Sequence, residues 1–130
     1  MNAGLSVADV LRGVDSTMFM RSGEWLQDAM ASGRAPAIID FRAASAYQKG
    51  HIEGSLQIPL SELPDRVESM VPKAREVVCV CNGSIQSAMA VVFLRTLGYK
   101  SAFNLSGGLS AWERQGRPLA VSHQSSRKDE

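Results

Sequence analysis

A chain of 130 residues with an apolar fraction of 45% is long enough to form one domain with its own core. Its formal net charge of +1 gives no reason to expect nucleic acid or an anionic membrane as a partner. No apolar run approaches the roughly 20 residues of a membrane span, and no basic patch followed by an apolar block opens the chain, so no secretory leader is expected.

Ser6 with Asp9 has the form of a capping box, and Val7, Val10, Leu11 and Val14 recur at i, i+3, i+4, i+7. Residues 1–16 therefore read as an extension bearing an amphipathic helix that packs on its own domain. Residues 17–20 offer a short strand. A helix over 24–31 follows Ser22 and ends near Gly33. Residues 37–41, entered after Pro36, read as a strand, and 56–58 as a shorter one stopped by Pro59. The next helix, over 62–71, has Ser61 as its cap and Pro64 tolerated in its first turn. Its apolar stripe is Leu63, Val67, Met70 and Val71. Residues 77–80 are a continuous β-branched and cysteine run, which suits a strand buried on both faces. The helix over 86–97 is apolar nearly all round, is expected to be heavily buried, and ends at Gly98. A strand over 101–104 and a helix over 108–115 close the domain, with Gly116 and Pro118 as stop signals. The domain is read as 17–120, and 121–130 as a polar tail that frays from Ser122 onward.

Alternating strands and helices predict an α/β domain with a mostly parallel sheet. Sites in such sheets lie beyond the carboxyl ends of the strands. Asp40-Phe41-Arg42 and Cys81 both fall at such ends. Cys79 and Cys81, two residues apart in an extended strand, would need strained geometry to bond each other, so a reducing cytoplasm is the expected setting. With two cysteines and the distant His51 and His123, no zinc pattern forms, and neither a metal nor an organic cofactor is implied.

Cys81 ends the apolar run Val77-Val78-Cys79-Val80 and precedes Asn82-Gly83-Ser84, which is turn chemistry, before a helix begins. This order sets a thiol at a strand tip beside the backbone N–H groups of a helix start, which favour negative charge. The thiolate is the nucleophilic form of cysteine, so the position can activate one. Cys79, flanked by apolar neighbours inside the strand, reads as core. Two chemistries suit Cys81. Phosphate-ester hydrolysis through a cysteinyl-phosphate uses a Cys-x5-Arg loop, whose arginine grips the phosphoryl oxygens. Here that position is Ser87, and no lysine or arginine occurs between Cys81 and Phe93. Sulfur transfer asks instead for a thiolate and a cradle of amides for a terminal sulfur.

The order of motifs around Cys81 resembles the rhodanese family of sulfurtransferases in its single-domain form, over residues 17–119. Ile39-Asp40-Phe41-Arg42 is similar to the family's first strand-end motif. Gly50-His51-Ile52-Glu53-Gly54-Ser55 followed by Ile58-Pro59-Leu60 is similar to its Gly-His-Ile-x-Gly-Ala segment. Leu97-Gly98-Tyr99 ends a helix as in the family, and Asn104-Leu105-Ser106-Gly107-Gly108-Leu109-Ser110-Ala111-Trp112 is similar to its closing Gly-Gly-x-x-Ala-Trp motif. The resemblance implies a five-stranded, mainly parallel sheet flanked by helices on both faces. It implies that Cys81 is the persulfide-forming nucleophile and that the amides of Asn82, Gly83, Ser84, Ile85 and Gln86 wrap the outer sulfur, with Ser87 at a position where the family often has serine. The loop length matches the sulfurtransferases rather than the longer loop of the related dual-specificity phosphatases and arsenate reductases.

Many single-domain members read Cys-x-x-Gly-x-Arg-Ser. Here the glycine has moved to Gly83, Ser84 takes its usual place in a conformation glycine accepts more easily, and Gln86 stands where arginine is common. The missing arginine weakens attraction for a dianion such as thiosulfate. The expected donor is thus a small sulfur-containing anion or a persulfide, the acceptor cyanide, sulfite, a thiol or a protein. A binding or sulfur-relay module with little small-molecule turnover is the second reading, and a cysteine phosphatase or arsenate reductase the third. Asp40 and Arg42 stand at the expected site rim, with pinning of neighbouring loops as their favoured role. His51 reads as a brace between two glycines, Gly107 and Gly108 as a tight turn, and Trp112 as helix packing.

Overall fold

The computed structural model describes residues 6–13 and 19–122. Five strands, β1 (Met20–Arg21), β2 (Ala37–Asp40), β3 (Leu56–Gln57), β4 (Val77–Val80) and β5 (Ala102–Leu105), form one sheet in the order β1-β5-β4-β2-β3 with every pairing parallel. The helices are α1 (Val7–Arg12), α2 (Gly23–Ala31), α3 (Ala44–Lys49), α4 (Leu63–Met70), α5 (Ile85–Thr96) and α6 (Gly108–Arg114).

β4 lies at the centre with all four residues buried, as its unbroken apolar run requires of a strand covered on both faces. The two-residue period of a strand sorts the core into two layers. Ile39, Val77 and Cys79 point to one face, where Leu63, Val67, Val91, Leu94 and Tyr99 of α4, α5 and the turn after α5 cover them. Ile38, Val78 and Val80 point to the other, against Leu26 of α2 and Leu109 and Trp112 of α6. Polar atoms in these layers are matched: Tyr99 donates its hydroxyl to Val71 O at 2.6 Å, and Trp112 Nε1 donates to Pro118 O at 2.8 Å. Trp112 is therefore a packing residue with its one donor satisfied.

Four local expectations are corrected. The helix expected over 62–71 begins as a 3-10 turn, Leu60–Glu62, and becomes α-helical at Leu63; Ser61 lies inside that turn and caps nothing, while Glu62 holds the cap position. Met70 is 39% exposed, so the buried stripe is Leu63, Val67 and Val71. α5 is not buried all round: Ser87, Ala90, Val91 and Leu94 face inward, while Ile85 and Met89 are 77% and 54% exposed. A helix laid on one face of a sheet buries one side only, so its composition overstated its burial. α3 was not expected; none of its residues is buried, so no apolar stripe betrays it.

The strand expected over 17–20 is also corrected: β1 starts only at Met20 and Phe19 is helical, while the ends of the other four strands shift by at most one residue. α5 stops at Thr96, and Gly98 follows with φ +105°, the left-handed turn a helix end favours. In the extension, Ser6 Oγ accepts the Asp9 N–H at 3.1 Å and caps α1, which lies against α5. Val10 is its buried residue; Val7 and Leu11 are exposed, and Val14, Thr17 and the tail with His123 lie outside the described residues.

Candidate functional site

Parallel pairing brings three strand ends together. Asp40 is in register with Val80, and Cys79 with Asn104, so the chain leaving β2, β4 and β5 converges on one edge of the sheet. Cys81 sits there, 5% exposed, at the floor of a cavity of about 400 Å³. Phe41, Arg42, Ala43 and Ala46 form one wall, and Asn82, Gly83, Ile85 and Gln86 the other.

Two backbone amides aim at the sulfur: Ser84 N lies 3.1 Å and Ser87 N 3.4 Å from Cys81 Sγ. Ser87 Oγ is 3.3 Å from the same atom. These N–H groups are unmatched donors of the first turn of α5, so the helix start places partial positive charge on the sulfur. For the loop to close this way Ser84 adopts φ +81°, the left-handed region, and is the one non-glycine residue to do so among those described. Its hydroxyl donates to Leu105 O at 2.9 Å, tying the loop to β5. The strain expected at Ser84 is thus present, and a hydrogen bond accompanies it.

All six loop residues expected around Cys81 are gathered at it. Ser84 and Ser87 touch its sulfur, whereas Asn82, Gly83, Ile85 and Gln86 line the cavity above. Arg42 also lines the cavity, but its guanidinium is committed. Nε and Nη2 grip the Asp40 carboxylate, with Nη2 at 2.8 Å, and Nη2 donates to Gly50 O at 2.7 Å. Asp40 lies behind the wall at 1% exposure, and its Oδ1 also accepts the Arg42 N–H. The pair pins the loop after β2 to Gly50.

His51 is away from the sulfur. Its ring stacks on Tyr47 with centroids 3.8 Å apart, and Nδ1 meets Tyr47 O at 2.7 Å, an acceptor, so that nitrogen carries the proton. Its backbone pairs with Ala120. It braces the loop, as expected. Cys79 is fully buried, and desolvation, with the charge of Cys81 second, pushes its thiol far above the usual range. The residues lining the cavity include no His, Lys, Asp or Glu. Among the described residues no group of three or more His, Cys, Asp or Glu could hold a metal ion, and no helix is long and apolar enough to cross a membrane.

Two features of the site were not assigned from sequence. Asn104 joins the two serines: its Nδ2 donates to Ser84 O at 3.1 Å, and its Oδ1 accepts from Ser87 Oγ at 2.6 Å. The available signal was a polar residue within the strand Ala102–Leu105, since a buried amide requires partners. Gly108, beyond allowing the turn into α6, admits a close approach. A Cβ there would collide with the carbonyl oxygens of Cys81 and Asn82. Those oxygens instead accept the N–H groups of Leu109 at 2.8 Å and Ser110 at 3.0 Å.

Comparison with known proteins gives a consistent result. The family described as the Rhodanese-like domain matches residues 22–115. A curated protein named "Sulfurtransferase" from Allochromatium vinosum is 34% identical over 98 residues, covering 75% of this chain and 91% of that protein. "Adenylyltransferase and sulfurtransferase uba4" from Ogataea parapolymorpha is 33% identical over 68% of this chain, which spans only 23% of that longer protein. Among solved structures, the Alr3790 protein from Anabaena sp. superposes with a TM-score of 0.74 at 31% identity, covering 84% of this chain and 98% of its own.

Proposed function

The chain belongs to the rhodanese-like domain family, and from that premise we propose that it is a sulfurtransferase in which Cys81 carries sulfane sulfur as a persulfide. The observation that carries this reading is the pair of amides of Ser84 and Ser87 at 3.1 and 3.4 Å from Cys81 Sγ, on the floor of an open cavity. The Cys81 thiolate attacks the outer sulfur of the donor. A bond forms between Sγ and that sulfur as the donor's S–S bond breaks, and sulfite or a thiolate departs with the electron pair. A thiophilic acceptor, such as cyanide, sulfite or a thiol, then attacks the outer sulfur of the persulfide. The S–S bond breaks and returns the Cys81 thiolate. Neither step needs a general base, in keeping with a cavity lined by none. The outer sulfur, which carries the negative charge of the persulfide, stands against the loop of Asn82, Gly83, Ile85 and Gln86.

Arg42 is the sole cationic side chain among the described residues lining the cavity, and Asp40 matches its charge. A dianion finds no surplus positive charge there, so the proposed donor is an organic persulfide in preference to thiosulfate. The same lack of a free guanidinium counts against phosphoryl transfer. The proposed setting is a reducing compartment, the cytoplasm, where Cys81 stays free. Incubation with an organic persulfide or with thiosulfate, followed by mass spectrometry of the intact protein and its peptides, tests the reading. A single sulfur-sized adduct on Cys81, absent in Cys81→Ser, is expected. An adduct on Cys79, or none with either donor, defeats it.

One observation favours a relay to a protein acceptor as the second reading. Ile85, on the cavity wall, is 77% exposed, and Met89 one turn further along α5 is 54% exposed, so exposed apolar surface runs from the cavity wall along the helix. Slow turnover with cyanide together with fast transfer to a partner thiol protein would distinguish it.

A further inference from the structure

The two walls of the sulfur cavity are built differently. The wall of Asn82, Gly83, Ile85 and Gln86 is clasped from behind. Ser84 Oγ donates to Leu105 O at 2.9 Å, Asn104 Nδ2 to Ser84 O at 3.1 Å, and the Ser110 N–H to Asn82 O at 3.0 Å. The same segment aims its amides at Cys81 Sγ, so it cannot yield without releasing the sulfur. Opposite it stand Ala43 and Ala46, the N-cap and a middle residue of α3, a helix of six residues none of which is buried. Lifting a helix with no buried face uncovers little apolar core, so α3 is the wall that gives.

The base of this wall is clipped. Arg42 Nη2 reaches Asp40 Oδ2 at 2.8 Å and Gly50 O at 2.7 Å, so residues 42 and 50 are held together while 43–49 bulge between them. The bulge is held down at Tyr47. Its hydroxyl donates to Ser55 O at 2.5 Å, its ring stacks on His51, and its carbonyl accepts from His51 Nδ1 at 2.7 Å. The Ser122 N–H adds a bond to Gln48 O at 3.1 Å. Tyr47 does not line the cavity, so it acts on it through α3.

We propose that Tyr47 is a positioning residue that sets the size of reactant reaching Cys81. While its hydroxyl holds Ser55 O, the cavity stays near 400 Å³ and takes a small persulfide. When that bond opens, α3 swings out on the Arg42 clip and admits a persulfide borne on a polypeptide. The role rests on the reading of Cys81 as sulfur carrier. Cys81 is 5% exposed on the cavity floor, so a sulfur carried by a chain must bring its neighbouring residues into the cavity with it. The chemistry is the same for both donors: the Cys81 thiolate takes the outer sulfur, and the donor thiolate leaves with the electron pair of the broken S–S bond. Only access differs. The open form is the minor one, and its population sets the rate for the bulky donor alone.

The test uses Tyr47→Phe, which loses the hydroxyl and keeps the ring on His51. Rates of sulfur loading at Cys81, read by mass spectrometry, are compared for methyl persulfide and for the persulfide of a short, capped, uncharged peptide. Loading from the peptide is expected to rise roughly fivefold, the gain in open population on losing one hydrogen bond. Loading from methyl persulfide should match the parent. Backbone hydrogen exchange of the same variant should quicken over 44–50 and not in β4. An equal change for both donors, or no gain for the peptide, overturns the role, as does a parent α3 that exchanges as slowly as β4. Should Tyr47→Phe fail to fold, His51→Ala, which removes the ring stack and the bond to Tyr47 O, decides by the same comparison. The carrier reading fails separately: it falls if neither donor loads Cys81 in the parent, while exchange over α3 still decides whether the wall moves.

Discussion

The backbone N–H of Leu109 donates to the carbonyl oxygen of Cys81 at 2.8 Å, so the first turn of α6 grips the tip of β4 from behind the reactive loop. The contact exists because Gly108 has no side chain. In Gly108→Ala, a Cβ meets the Cys81 and Asn82 carbonyls at a φ of +62°. The conformation alone costs about 1–2 kcal/mol, and the collision adds to it. We expect a clearly lower urea midpoint and reduced persulfide loading at Cys81. A variant as stable as the parent, with normal loading, would show that α6 does not hold the loop.

Ser84 offers a cleaner separation of backbone from side chain. Both Ser84→Gly and Ser84→Ala lose the hydrogen bond to Leu105 O, but only alanine retains a Cβ at φ +81°. The glycine variant should be the more stable by about 1 kcal/mol, the left-handed penalty less the greater chain entropy of glycine. Chemical denaturation of the two variants side by side checks it; equal midpoints would mean that the loop relaxes out of the left-handed region.

How much of this site could be read in advance follows from distance along the chain. The run Val77-Val78-Cys79-Val80 declared itself as a buried strand, and the turn residues after Cys81 placed the thiol at its tip, because both signals are local. Ser84 was legible for the same reason, as the residue standing where glycine is usual. Asn104 was not, because its partners Ser84 and Ser87 lie 20 and 17 residues away and meet it only through the pairing of β4 with β5. α3 escaped for want of any buried side, and the exposure of Ile85 and Met89 depends on which face of α5 the sheet covers. Arg42 lines the cavity, but its hold on Asp40 and Gly50 depends on how the fold brings the loop after β2 against Gly50, eight residues on.

That commitment has an energetic consequence. Asp40 and Arg42 are both nearly dry, so removing one leaves the other as an uncompensated buried charge. Arg42→Leu and Asp40→Asn are each expected to destabilise the fold by roughly 3–5 kcal/mol. The double substitution should recover much of the loss, since no lone charge remains. A double-mutant cycle by urea denaturation measures this, and strictly additive losses would mean that the two side chains act independently.

Cys79 and Cys81 are two residues apart and should differ completely in reactivity. Cys79 is sealed in the core, where burial, and then the charge of Cys81, raise its thiol far above the usual range. In the native protein, alkylation should therefore stop at one equivalent, on Cys81, and reach Cys79 only in denaturant. Stability carries a second signature. The unfolded Cys79 thiol ionises near pH 8.5 while the folded one stays protonated, so the folded state binds the extra proton at high pH. Its stabilising share is complete below about pH 8.5 and is lost as pH rises beyond, by about 1.4 kcal/mol per pH unit. Cys79→Ala should remove that slope, and an unfolding free energy whose alkaline slope is the same with and without the Cys79 thiol would show that the core admits its charge.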